Sequence, residues 1–178
     1  MIYLFRIISD EDEEFCRDLV IEGSDTFLDF HHTLQKDLGY DPSQLASFVI
    51  TNSLWEKKQE ITLMDMLQDP DQQEVTMNHA KVEDYITEED QRLIYLFDFF
   101  SERAFFIELI EKTDQSTSKA TPFIGKALGD APPQLSLDLL MDETGTASNE
   151  MDPEELPDDL RIEDLDPDMF DNGAPEDF

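Results

Sequence analysis

Apolar side chains recur at regular spacing up to about residue 140 and then give way to acids. This break limits what the chain can fold into. From Ser136 to Phe178 there are sixteen acids and one base, Arg161. A segment with so little apolar surface and so much like charge cannot repay the entropy of ordering, so it is expected to be disordered alone. Residues 1–135 are long enough for one domain with its own core, with no need of metal or disulfide staples. The division is therefore 1–135 as a single domain ending in a Gly/Pro-rich arm, and 136–178 as an acidic low-complexity tail.

Within the body the spacing of apolar residues predicts the elements. Ile2 to Ile8 is apolar except for Arg6, as in a strand covered on both faces. Phe15 to Ile21 places Phe15, Leu19 and Ile21 on one face at period two, and a short acidic loop joins the two strands as a hairpin. Thr26 followed by Asp29 reads as a capping box opening a helix. Phe27, Phe30 or His31, Leu34 and Leu38 make its apolar stripe, and Gly39 closes it in the left-handed conformation. Ala46 to Thr51 is a strand. Leu63, Met64, Met66 and Leu67 suggest a short helix ending before Pro70, residues 69–78 a polar loop, and Val82, Tyr85 and Ile86 another helical turn. Leu93 to Phe100 is a dense apolar run broken only by Asp98, and the chain turns at Ser101–Arg103 to return through Ala104 to Ile110. Residues 113–119 read as a linker, and Pro122 to Pro133 as an irregular packed arm. The expected class is α+β: a mainly antiparallel sheet on a principal helix, in the order β-β-α-β-(short helices)-β-β.

The charge excludes several functions. Forty-four acids against twelve bases give a net charge of −32. Nucleic acid is bound by Lys and Arg that displace counterions, so direct binding to it is not expected. An anionic membrane surface repels the chain for the same reason. No run approaches the length of a membrane span, and no basic segment precedes the N-terminal apolar run, so the expected compartment is the cytoplasm. Cys16 is the only cysteine, which rules out an intrachain disulfide, and it reads as a small core residue. A basic or groove-bearing protein is the class of partner the charge admits; the oligomeric state is not legible.

An ordered set of motifs resembles a known family. Phe27-x-x-Phe30-His31-x-x-Leu34-Gln35-x-x-x-Gly39-Tyr40 is similar to a helix written LxxLHxxIQxxxGW. Leu45 and Phe48 match HLxxF, Phe97-Asp98-Phe99 a YDF strand, and Ile107-Glu108-Leu109 the strand after it. Pro122, Gly125, Gly129 and Ala131-Pro132-Pro133 resemble a PxxxxGxxxxPP arm. The set spans Met1 to Gln134 and resembles the plasmid Ri ORF-three-like family, also labelled insertion-element passenger TnpR-like proteins. The resemblance implies a soluble α+β domain of prokaryotic type and no established activity. Where the family strand turn reads YDFGDxWxH, this chain has Phe100, Ser101, Arg103 and Phe105 at the Gly, Asp, Trp and His positions, and Gln44 at the His of HL. Of the polar groups in that pattern only His31 and Asp98 remain. The label suggests a resolvase, but that chemistry needs an activated serine, clustered arginines and a basic DNA-reading helix, none of which is evident.

No catalytic constellation stands out. His31 and His32 are adjacent on a helix and point about 100° apart, which suits them poorly to one metal. Neither CxxC nor HExxH occurs, and Gly125 and Gly129 do not form a phosphate loop. The tail lacks the central Gly and terminal Glu of a calcium loop. No metal or cofactor is expected. Asp98 breaks an apolar strand and needs a partner, with Arg6, Arg92 and Arg103 available. The candidate pocket or surface residues are His31, Gln35, Tyr40, Trp55, Asp98 and Arg103. In the tail, Leu156, Leu160, Ile162, Leu165, Met169 and Phe170 are spaced among acids as in a segment that folds on a partner. The leading expectation is a non-enzymatic protein-binding or accessory module. The alternatives are an enzyme or degenerate enzyme with a pocket near His31 and Asp98, and an acidic nucleic-acid mimic.

Overall fold

The computed structural model describes residues 1–65, 75–115 and 117–135. Ten elements follow one another: β1 (Ile2–Ser9), β2 (Cys16–Glu22), α1 (Phe27–Leu38), β3 (Ser47–Thr51), β4 (Lys57–Thr62), β5 (Val75–Thr76), α2 (Val82–Tyr85), β6 (Arg92–Asp98), β7 (Arg103–Thr113) and β8 (Phe123–Leu128). The strands make one sheet in the order β5-β4-β3-β6-β7-β1-β2-β8. Each pair of neighbours is antiparallel except β4 with β5. The class is α+β, as the spacing predicts.

α1 begins and ends where the sequence places it. The Thr26 side chain accepts from the Asp29 amide, Asp29 reaches back to the Thr26 amide at 2.9 Å, and Gly39 takes φ 71°. Such a cap is worth about 1 kcal/mol. The helix buries Phe27, Phe30, His31, Leu34 and Gln35 against the sheet. Beneath it lies a sequence of touching rings. Phe5 meets Phe30 at 5.3 Å between centroids, Phe30 meets Phe48 at 5.1 Å, and Phe48 meets Tyr95 at 4.7 Å. Phe105 continues it to Phe97 at 4.6 Å and Phe15 at 4.9 Å.

The other face of the sheet is built differently. The register aligns Val49, Ile94, Phe106, Ile8 and Cys16 in one row across five strands. Beside it Arg92, Glu108, Arg6, Asp18 and Lys126 form a second row in which the sign of the charge alternates. Arg6 pairs with Asp18 at 2.8 Å and Arg92 with Glu108 at 3.1 Å. Opposite charges across neighbouring strands support pairing, whereas like charges oppose it.

Three strands depart from the expected order. β4 reads Lys-Lys-Gln-Glu-Ile-Thr and has a single fully buried side chain, Ile61, so its period-two signal is too faint to see. β5 falls inside the stretch read as a polar loop. β8 replaces the irregular arm, with Gly125 at a bulge opposite Asp18 and Leu19. Leu63 and Met64 lie in a bend rather than a helix, and Met66 and Leu67 fall outside the described residues. Cys16 is half-buried on the outer face rather than in the core.

Candidate functional site

The six candidate residues of the body divide into three separate groups. The first lies sealed beneath α1. His31 and Gln35, one helical turn apart, both reach the Tyr95 hydroxyl on β6, at 2.7 Å from His31 Nδ1 and 2.6 Å from Gln35 Nε2. Gln35 donates to the phenol oxygen, which leaves the phenol proton for His31 Nδ1. The imidazole then carries its own proton on Nε2, facing the Pro42 carbonyl at 3.4 Å. His31 is 0% exposed, Gln35 2% and Tyr95 0%. Burial pulls the His31 pKa down to about 4, against the weaker opposing pull of the Pro42 carbonyl, and it pushes the Tyr95 phenol up. Gln35 Oε1 is buried without a hydrogen bond.

The second group sits where the β6–β7 hairpin meets the C-terminal arm. Asp98 Oδ1 accepts from the amides of Phe100 at 3.0 Å and Ser101 at 3.1 Å, so the carboxylate shapes its own turn. Asp98 Oδ2 is buried with no hydrogen bond and lies 3.7 Å from Arg103 Nη1. Of the three arginines available to Asp98, Arg103 is thus the one that faces it. Arg103 grips Glu11 with two bonds of 2.9 and 2.8 Å and lies over the Phe97 ring. The Glu11 carboxylate raises the Arg103 pKa further. Tyr40 packs on Phe97 and Phe105 and donates to the Pro132 carbonyl, while Asp41 and Gln134 exchange two hydrogen bonds. Desolvation pushes the Tyr40 phenol up. These bonds fasten the arm to the end of the sheet.

The third group lies on the outer face. Trp55, in the β3–β4 turn at φ 64°, stands edge-on to Phe106 at 5.4 Å. Arg92 covers the Trp55 ring at 4.9 Å and donates to the Ser53 carbonyl at 2.7 Å. A bulky residue at positive φ costs about 1–3 kcal/mol and needs such contacts to hold it.

His31 and Asp98 therefore have different partners, and both are buried. Neither can meet a ligand without opening of the fold. Among the described residues no group of three or more His, Cys, Asp or Glu side chains is placed to hold a metal. The six tail candidates, Leu156 to Phe170, lie outside the described residues. Sequence reading missed Tyr95, the hub of the first group, whose ring reads as one more core aromatic. It also missed Arg17, buried on the core face of β2, where it meets Asp37 of α1 at 2.6 Å and the carbonyls of Leu128 and Gly129. Its signal was present: Arg17 alternates in step with Phe15, Leu19 and Ile21.

The sequence profile of the plasmid pRiA4b ORF-3-like proteins matches residues 2–171. The chain belongs to this family. The match runs past Gln134, where the motifs read from the sequence end, so most of the tail lies within the pRiA4b ORF-3-like homology. No curated protein matches the chain. A protein of unknown function from Methanosarcina mazei Go1 has a similar crystal structure, with a TM-score of 0.58 at 20% identity, over 71% of this chain and 68% of that one. The likeness shows that the pRiA4b ORF-3-like fold is shared with that protein. No helix among the described residues is long and apolar enough to cross a membrane.

Proposed function

We propose that the chain is a non-enzymatic protein-binding or accessory module, and that its acidic tail docks on a basic or groove-bearing protein. One observation carries this reading. The two polar groups of the candidate pocket are held in the interior, His31 by Tyr95 and Asp98 by its own turn. A general acid or base must reach its substrate's proton directly or through one water, and neither group does. The tail, by contrast, combines sixteen acids with the apolar series Leu156, Leu160, Ile162, Leu165, Met169 and Phe170. That composition suits a segment that orders on a partner surface.

Crosslinked affinity purification from the source cells, with the full chain and with residues 142–178 deleted, tests the reading. The same partners should be lost on deletion. Partners retained at equal yield would contradict a docking tail. Washing at rising salt then sorts the partner: a basic surface releases the tail as charges are screened, whereas an apolar groove holds it.

A further inference from the structure

The two edges of the sheet are unlike. At one end β5 is two residues long. At the other, β8 has six residues and pairs only with β2, so its outer side has no strand against it among the described residues. An open edge of this length offers backbone donors and acceptors to an added strand.

Beside this edge runs a cleft of about 500 Å³ between α1 and β8, lined by Thr33, Lys36, Asp37, Pro122, Phe123 and Ile124. Ile124, opposite Leu19, is half-buried and supplies an apolar wall, whereas the Phe123 ring lies beside Val20 on the outer face. The charges around the cleft run against those of the chain. Six of the eleven described bases are paired with carboxylates: Arg6, Arg17, Lys57, Lys58, Arg92 and Arg103. Three of the remaining five flank β8, one on the α1 side and two on the outer face. Lys36 lines the cleft, Lys119 sits over the Phe123 ring at 4.1 Å, and Lys126 lies on β8 itself. None of the three has a carboxylate within ion-pair distance among the described residues, although acids outnumber bases almost four to one. The one acid of the cleft, Asp37, is already bound to Arg17 at 2.6 Å.

We propose that β8 and this cleft form a strand-addition site for an extended acidic peptide. The peptide backbone pairs with the free edge of β8. Alternate apolar side chains enter the cleft on the α1 side against Ile124, and the acids between them fall on the outer face, where Lys126 and Lys119 lie. Lysines on an edge repel basic strands, and neutral ones would desolvate the ammonium groups without pairing them, so the edge is protected from indiscriminate pairing. The same lysines make an acidic strand the favoured occupant. This site is independent of the tail, so either can fail without the other.

The test uses the full chain and a fluorescein-labelled peptide of ten residues alternating glutamate and valine, followed by fluorescence anisotropy at physiological salt. Two further peptides carry N-methyl groups on alternate backbone amides, one in each phase. The parent and one phase should bind, and the other phase should lose binding, because only one set of amides faces β8. A Lys119→Glu, Lys126→Glu double variant should bind the parent at least tenfold more weakly. Amide chemical-shift changes should centre on residues 123–128. Equal binding by both methylated peptides means that only charge attraction operates and overturns the proposal, as do failure of the parent to bind and shift changes confined to other strands.

Discussion

The two faces of the sheet handle polar groups in opposite ways. Beneath α1, polarity is rare and enclosed: His31, Gln35 and Tyr95 bond to one another among aromatic rings. On the outer face, polarity is frequent and paired between neighbouring strands, through the alternating row from Arg92 to Asp18. The comparison teaches where an interaction matters. A buried polar group left without its partner pays a full desolvation cost, whereas a surface ion pair contributes about 0–1 kcal/mol.

Phe105 and Phe106 are neighbours on β7 that point to opposite faces, and they give the sharpest contrast. Phe105→Ala should cost about 3–5 kcal/mol, because it leaves a cavity among Phe15, Phe97 and Tyr95. Phe106→Ala should cost about 1 kcal/mol, since the ring is half-buried and meets Trp55 edge-on. Urea unfolding checks both, and equal losses would mean that the two faces are equally packed.

The next effect is a pH dependence. The His31 pKa falls to about 4 in the fold from 6.5, because burial disfavours the imidazolium. As pH drops through 6.5 the unfolded chain takes up a proton that the folded chain refuses, so stability falls until about pH 4 and then levels. The loss from this group is about 3 kcal/mol. Protonation of the many carboxylates acts over an overlapping range. The test is therefore the difference between wild type and a His31→Gln variant measured from pH 7.5 to 4, in which the variant lacks the His31 portion of the slope.

Tyr95→Phe removes the hub and strands His31 Nδ1 and Gln35 Nε2 with no partner, so it should cost about 1–3 kcal/mol by urea unfolding. Smallest is Glu108→Ala on the outer face. It removes the exposed pair with Arg92, and a loss of about 1 kcal/mol or less is expected, shrinking further at high salt. A loss above about 3 kcal/mol would show that the outer row is as critical as the sealed triad.

The same contrast explains how much of the molecule was legible in the sequence. Elements with a strong period were clear, from the capping box at Thr26 to the hairpin of β6 and β7, because local chemistry and core burial agree there. β4 and β8 were not, because they lie towards the sheet margins, where only Ile61 is fully buried in one and no residue is in the other. Along the chain His31, Gln35 and Asp98 stand out as polar interruptions of apolar stretches. Their grouping was hidden, since Tyr95 meets His31 across 64 positions of chain and Arg103 meets Glu11 across 92. Spacing along a chain reports faces, not which distant faces touch.

The measurement that bears most directly on this account is a pH titration of the His31 ring carbons by carbon–proton correlation NMR on the full chain. A sealed imidazole protonated on Nε2 should show constant shifts from pH 8 down to about 5, and nitrogen shifts that mark Nδ1 as the acceptor. A ring that titrates near the ordinary histidine value of about 6.5 would show that water reaches it, and the interior polar group could then no longer be regarded as a mere fastener.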